Sequence, residues 1–128
     1  MLKYALLAVL IMTIATAAVA QPPKKGPNGG MVVVSNGHPI EFVHSGADIS
    51  FYVDDDDGTP FPAKNLTRGV ATIQDGGDTT RINLKAAPPN KLVGALQAPL
   101  SAKARIVVSI DLVDEGHKHN LQARFTAD

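Results

Sequence analysis

Four histidines and one methionine carry the metal-binding chemistry of this 128-residue chain outside its first twenty residues. His117 and His119 stand two apart, so in a strand both project to one face, about 6.5–7 Å apart along the chain. Two imidazoles so placed can share a metal ion. His38 and His44 have the parity of Ile40 and Phe42 and lie at opposite ends of the same stretch. Pairing across Asn36-Gly37 sets Ser35 opposite His38 and brings Met31 near Phe42, within a side chain's reach of His44. A metal site of His117, His119, His44 and Met31 follows if the first and last strands are neighbours. Imidazole with thioether and no thiolate suits copper best, with zinc or nickel behind. His38 adjoins Pro39 at the turn, away from that grouping. The run Asp54-Asp55-Asp56-Asp57-Gly58 clusters the carboxylates that hard cations take, but Gly58 falls at position five and Asn65 stands where an EF-hand loop needs Glu. It reads as a solvated turn or a weak surface attractor of cations. No serine lies in a G-x-S-x-G setting and no glycine-rich loop opens a helix, so no enzyme chemistry is expected.

The elements that must position these residues follow a side-chain period of two, broken by Gly, Pro, Asn and Asp every eight to twelve residues. Residues 31–35 and 38–44 flank Asn36-Gly37, whose tolerance of positive φ favours a tight type I′ hairpin. Residues 48–53 alternate Ile49, Phe51 and Val53 with polar partners. Pro60 and Pro62 keep the next piece out of a central ladder. Residues 68–74 and 79–85 form a second hairpin about Asp75-Gly76-Gly77-Asp78, and Pro88-Pro89-Asn90 breaks the chain before 91–97. The clearest strand is 104–112, with Ala104, Ile106, Val108, Ile110 and Leu112 on one face, and 117–126 returns beside it. The expected fold is all-β: a single antiparallel two-sheet sandwich of immunoglobulin-like type, with seven or eight strands.

Zero cysteine excludes disulfides, thiolate metal sites and cysteine nucleophiles. Twelve Lys and Arg against twelve Asp and Glu leave no electrostatic footprint for nucleic acid. Residues 1–20 read as a signal peptide: Lys3 supplies the positive start, residues 5–17 the apolar stretch, and Ala18-Val19-Ala20 the small-x-small cleavage pattern. Cleavage after Ala20 leaves no membrane segment and an exported, periplasmic protein. Residues 21–30, with three prolines and three glycines, read as an extended tether before a β-domain spanning 31–128. Pro22 and Pro23 lack the amide hydrogens that an amino-terminal copper site gives up.

Gly26-Pro27-Asn28-Gly29-Gly30, Ile40-Glu41-Phe42-Val43, the acidic turn ending Asp57-Gly58-Thr59-Pro60, Asn90-Lys91-Leu92 and Gln122-Ala123-Arg124-Phe125 together resemble a family of small exported proteobacterial proteins. That family is itself similar to the N-terminal β-sandwich of some periplasmic adaptor proteins of heavy-metal efflux systems. The resemblance spans nearly all of the chain after the leader. It implies a periplasmic β-sandwich in a metal-resistance setting, with an efflux component as partner and no established reaction. Some relatives carry histidine in the glycine-rich stretch and in the acidic turn, where this chain has Pro27-Asn28 and four aspartates. Two functions stay open: an accessory module binding copper or zinc, and a metal-free module docking on an efflux or envelope partner. Convergence of the histidines in space favours the first; scattered histidines with an exposed apolar strand edge favour the second.

Overall fold

The computed structural model describes residues 24–128; the expected leader, its cleavage point and the first residues of the expected tether lie outside them. The described chain forms nine strands: β1 (Lys24–Lys25), β2 (Met31–Ser35), β3 (His38–Ser45), β4 (Asp48–Val53), β5 (Leu66–Asp75), β6 (Asp78–Ala87), β7 (Lys91–Ala95), β8 (Arg105–Asp114) and β9 (His117–Thr126). All eight expected strands are present. β1 is the addition, a two-residue edge pairing Lys24 with Val32 and Lys25 with Met31. The stretch expected as a tether is therefore part of the sheet from Lys24 onward. One 3-10 turn, Ala63–Asn65, precedes β5, and among the described residues no helix is long and apolar enough to cross a membrane.

The expected all-β, antiparallel character is what forms, but the nine strands make one hydrogen-bonded sheet, in the order β1-β2-β3-β4-β7-β6-β5-β8-β9, curled into a half-barrel. A two-sheet sandwich of seven or eight strands in all is not what the ladder shows. The reason lies in β6, which is long enough to serve both halves. Gly69 of β5 pairs with Leu84, and then Lys85, Ala86 and Ala87 pair with Val93, Leu92 and Lys91 of β7. The sheet folds over at this change of partner. Gly94 of β7 allows the approach, because a Cβ there would stand 2.8 Å from Leu84 Cδ2 and 2.9 Å from Ile82 Cδ1.

The curl encloses a core built from the inward rows of every long strand. Ile40, Ile49, Phe51, Leu92, Ile110 and Leu121 are fully buried within it. Phe42 of β3, Phe51 of β4 and Phe125 of β9 pack with ring centroids 5.2, 5.3 and 5.9 Å apart, joining the two ends of the sheet through its interior. At the surface the closure is made by side chains. Gln122 N–H donates to Ser35 Oγ at 3.2 Å and Asn36 Nδ2 donates to Asn120 O at 3.4 Å, so β2 lies beside β9 without a backbone ladder. The Asn36-Gly37 hairpin has positive φ at both residues, 47° and 80°, as a type I′ turn requires.

The parity of β8 is directly testable. Ile110→Ala should cost about 2–5 kcal/mol in urea unfolding, through lost burial and the cavity left behind. Ser109→Ala, on the opposite face, should stay within about 1 kcal/mol. Equal losses would mean that the inward row is wrongly assigned.

Candidate metal centre

One end of the half-barrel gathers polar residues at the ends of inward-facing rows. His38 opens β3 on the parity of Ile40 and Phe42, and only 8% of its surface is exposed. Its Nδ1 lies 2.9 Å from Asp54 O. A carbonyl can only accept, so the proton sits on Nδ1 and the free lone pair on Nε2. The ring also meets Phe61 edge-on, with centroids 5.7 Å apart, which fixes its plane. Asp114 closes β8 on the parity of Ile110 and Leu112. Asp55 lies in the turn after β4, where its N–H donates to Thr59 O at 2.7 Å and its carbonyl accepts from Gly58 N–H at 2.9 Å.

A ring nitrogen of His38 and carboxylate oxygens of Asp55 and Asp114 all lie within 4.8 Å of one another. Two donors that each sit about 2.1 Å from one ion are at most about 4.2 Å apart. Small side-chain rotations therefore suffice to close the three donors on a metal. A backbone carbonyl fixing the imidazole tautomer is the usual support of a histidine ligand, because it orients the ring and raises its basicity. Asp55 also groups with Asp56 and Asp57 within the same limit, an all-carboxylate alternative suited to harder ions.

The residues expected from sequence divide between the two ends. Met31 and His44 line one cleft of about 220 Å³ with Lys25, Phe42, Thr126 and Asp128. His44 stacks on Phe42 at 5.4 Å, and its Nε2 lies 3.3 Å from Asp128 Oδ1. That hydrogen bond is the main reason the Asp128 carboxyl is held below the usual carboxylate range. His117 and His119 are exposed at the far end of β9, opposite Asp114 and Leu112. The nine residue steps from His117 to Thr126 span about 30 Å of strand. His117 and His119 thus cannot join His44 and Met31 in one site. The strand adjacency that the expectation required does exist, but Ser35 meets Gln122, so Met31 falls at the Thr126 end.

Sequence reasoning passed over His38, Asp55 and Asp114. The signal was parity: His38 shares the inward row of Ile40 and Phe42, and Asp114 that of Leu112. No protein-family model matches the chain, and no curated protein or solved structure matches it either.

A second carboxylate anchors the strand that carries His38. Glu41, 4% exposed, accepts from Asn28 N–H and Gly30 N–H at 2.9 and 2.8 Å on Oε2, and from Asn28 Nδ2 at 2.9 Å on Oε1. Residues 26–30 are wrapped round this carboxylate. Asp54, whose carbonyl orients His38, has its own carboxyl pushed up, first by burial and then by the charge of Glu41, with Asn90 Nδ2 donating to Oδ1 at 3.2 Å in opposition. Because its folded pKa is raised, Asp54 imposes no penalty below its unfolded pKa, and stability is lost as pH rises through the folded value. Asp54→Asn keeps an acceptor for Asn90 and removes the charge. The variant should melt above the parent at pH 7, with the gap closing by about pH 3, below the ordinary carboxylate range. A gap that widens on acidification would contradict the assignment.

Proposed function

We propose that this chain is an exported metal-binding module that holds one divalent transition-metal ion through His38, Asp55 and Asp114, as an accessory to copper or zinc handling in the periplasm. The observation that carries the reading is His38 itself. It is nine-tenths buried, its Nδ1 is committed to the Asp54 carbonyl, and it stands against two carboxylates on separate elements. Two carboxylates this close repel each other when ionised, and a bound cation relieves that repulsion. One imidazole and two carboxylates form a donor set that zinc and copper(II) accept readily.

Export is supported by the positive start at Lys3, the apolar stretch 5–17 and the Ala18-Val19-Ala20 cleavage pattern. A place beside an efflux component rests on the turn and strand motifs, such as Ile40-Glu41-Phe42-Val43 and Gln122-Ala123-Arg124-Phe125, read as resembling adaptor domains of heavy-metal efflux systems. Asp55 is half-buried beside the exposed residues 56–60 of its turn, so an ion held there stays open to exchange, as suits a module that passes its cargo on. Binding and delivery are the activity this reading assigns, with no covalent step.

Isothermal titration of the purified protein with zinc, copper(II) and nickel tests the reading. One ion should bind with Kd below about 100 µM, roughly −5.5 kcal/mol. Asp114→Asn, at the half-exposed end of a strand, should lose at least about tenfold in affinity while keeping the parental melting temperature. Affinity should also weaken on acidification, since protons compete for the imidazole and carboxylate donors. Absence of binding by every ion would overturn the metal reading and favour a metal-free module that docks on an efflux or envelope partner. Undiminished binding in Asp114→Asn would move the site elsewhere.

A further inference from the structure

The β8–β9 hairpin places a second imidazole at the edge of this centre. Asp114 and His117 are direct partners across the hairpin, joined by the two-residue turn Glu115-Gly116 with φ of 50° and 79°. Residues directly opposite in an antiparallel pair project to the same face, with Cβ atoms about 4.5–5.5 Å apart. That face is the inner one: Asp114 continues the row of Ile110 and Leu112, and His117 continues the row of Leu121, Ala123 and Phe125. The ring of His117 is exposed, so rotation about its Cα–Cβ bond disturbs no packing.

We infer that His117 completes the centre as a fourth protein ligand, making a set of two imidazoles and two carboxylates that selects zinc or copper(II) over calcium or magnesium. The inference rests on the His38–Asp55–Asp114 reading and sharpens it. Hard cations take six or more oxygens, whereas four donors with two imidazoles suit a tetrahedral zinc or a tetragonal copper(II). The register also separates the two exposed histidines. His119 stands opposite Leu112, two cross-strand pairs further from Asp114, so it has no carboxylate partner in the cluster. Sequence spacing alone treats His117 and His119 as equivalent; the hairpin does not.

Three features make the geometry economical. Asp114 and His117 come from one tight hairpin, so their relative position is set before any metal binds. His38 comes from the facing β3 and is held by Asp54 O. Asp55 comes from the turn that follows β4, so the ligands are drawn from three separate places in the chain and converge only in the folded state. A set assembled in this way binds the native chain better than the unfolded one, and metal should raise the melting temperature.

Cobalt(II) is the probe for coordination number, since four-coordinate cobalt absorbs visible light far more strongly than six-coordinate cobalt. The purified protein, His117→Ala, His119→Ala and His38→Ala are titrated with cobalt(II), zinc and calcium, and each variant's fold is checked by circular dichroism and melting temperature. The parent should give an intense visible band and prefer zinc to calcium. His117→Ala should bleach most of that band, lose at least about tenfold in zinc affinity and narrow the preference over calcium. His119→Ala should match the parent. If His117→Ala leaves the cobalt band and zinc affinity unchanged while Asp114→Asn abolishes both, His117 is not a ligand although the three-residue centre stands; equal losses in His117→Ala and His119→Ala would overturn the distinction drawn between them. If Asp114→Asn leaves binding intact, the centre itself falls, and the inference with it. Should His38→Ala fail to fold, Asp114→Asn and Asp55→Asn carry the same comparison.

Discussion

The bending of one continuous sheet at β6 is the constraint on which the rest of the molecule depends. β6 pairs first with β5 and then with β7, and this change of partner turns the sheet far enough for β9 to come beside β2. The interior then closes on three aromatic rings, Phe42, Phe51 and Phe125, drawn from the two ends of the strand order. Without that closure β3 and β8 would lie at distant points of an open sheet. With it, the first residue of β3 and the last residue of β8 face each other across the mouth of the half-barrel.

Polar groups at that mouth are held by neighbours that do not themselves belong to the cluster. Asp54 offers its carbonyl to His38, while its carboxyl takes a hydrogen bond from Asn90, which also donates to Val53 O at 2.9 Å. Glu41 holds residues 26–30 against the outer face of β3 through backbone and side-chain donors. Orphaning those donors would cost about 1–3 kcal/mol each. The two groups therefore have separate tasks: the Glu41 carboxylate fixes the outer face of β3, and the Asp54 backbone carbonyl fixes the His38 ring. Rigid support behind a partly buried donor set is what a binding site needs in order to hold its geometry before the ligand arrives.

Much of the local structure was legible in the sequence because it depends on short-range alternation. The inward row of Ile106, Val108, Ile110 and Leu112 and the Asn36-Gly37 turn follow from period two and from the φ that those turn residues tolerate. β1 was not legible, since two lysines carry no pattern, and its pairing to Met31 and Val32 is a consequence of Glu41 gripping the turn between them. The strand order was not legible either. β4 beside β7 and β5 beside β8 are long-range pairings that alternation does not encode. The same gap explains the candidate site. Parity placed His38 and His44 on the inward row of Ile40 and Phe42, but which ends of the rows meet is decided by the curl. His44 met Asp128 and Met31, whereas His38 met Asp55 and Asp114.

The central claim is that the ends of these inward rows form a metal centre at the His38 mouth and not at the His44 cleft. Nitrogen-15 resonances of the four imidazoles, followed while zinc is added to the purified protein, test it most directly, since metal on a ring nitrogen shifts that nitrogen's signal. The His38 Nε2 and His117 signals should move and saturate at one equivalent while those of His44 stay in place. Movement of the His44 signals with His38 unchanged would contradict it.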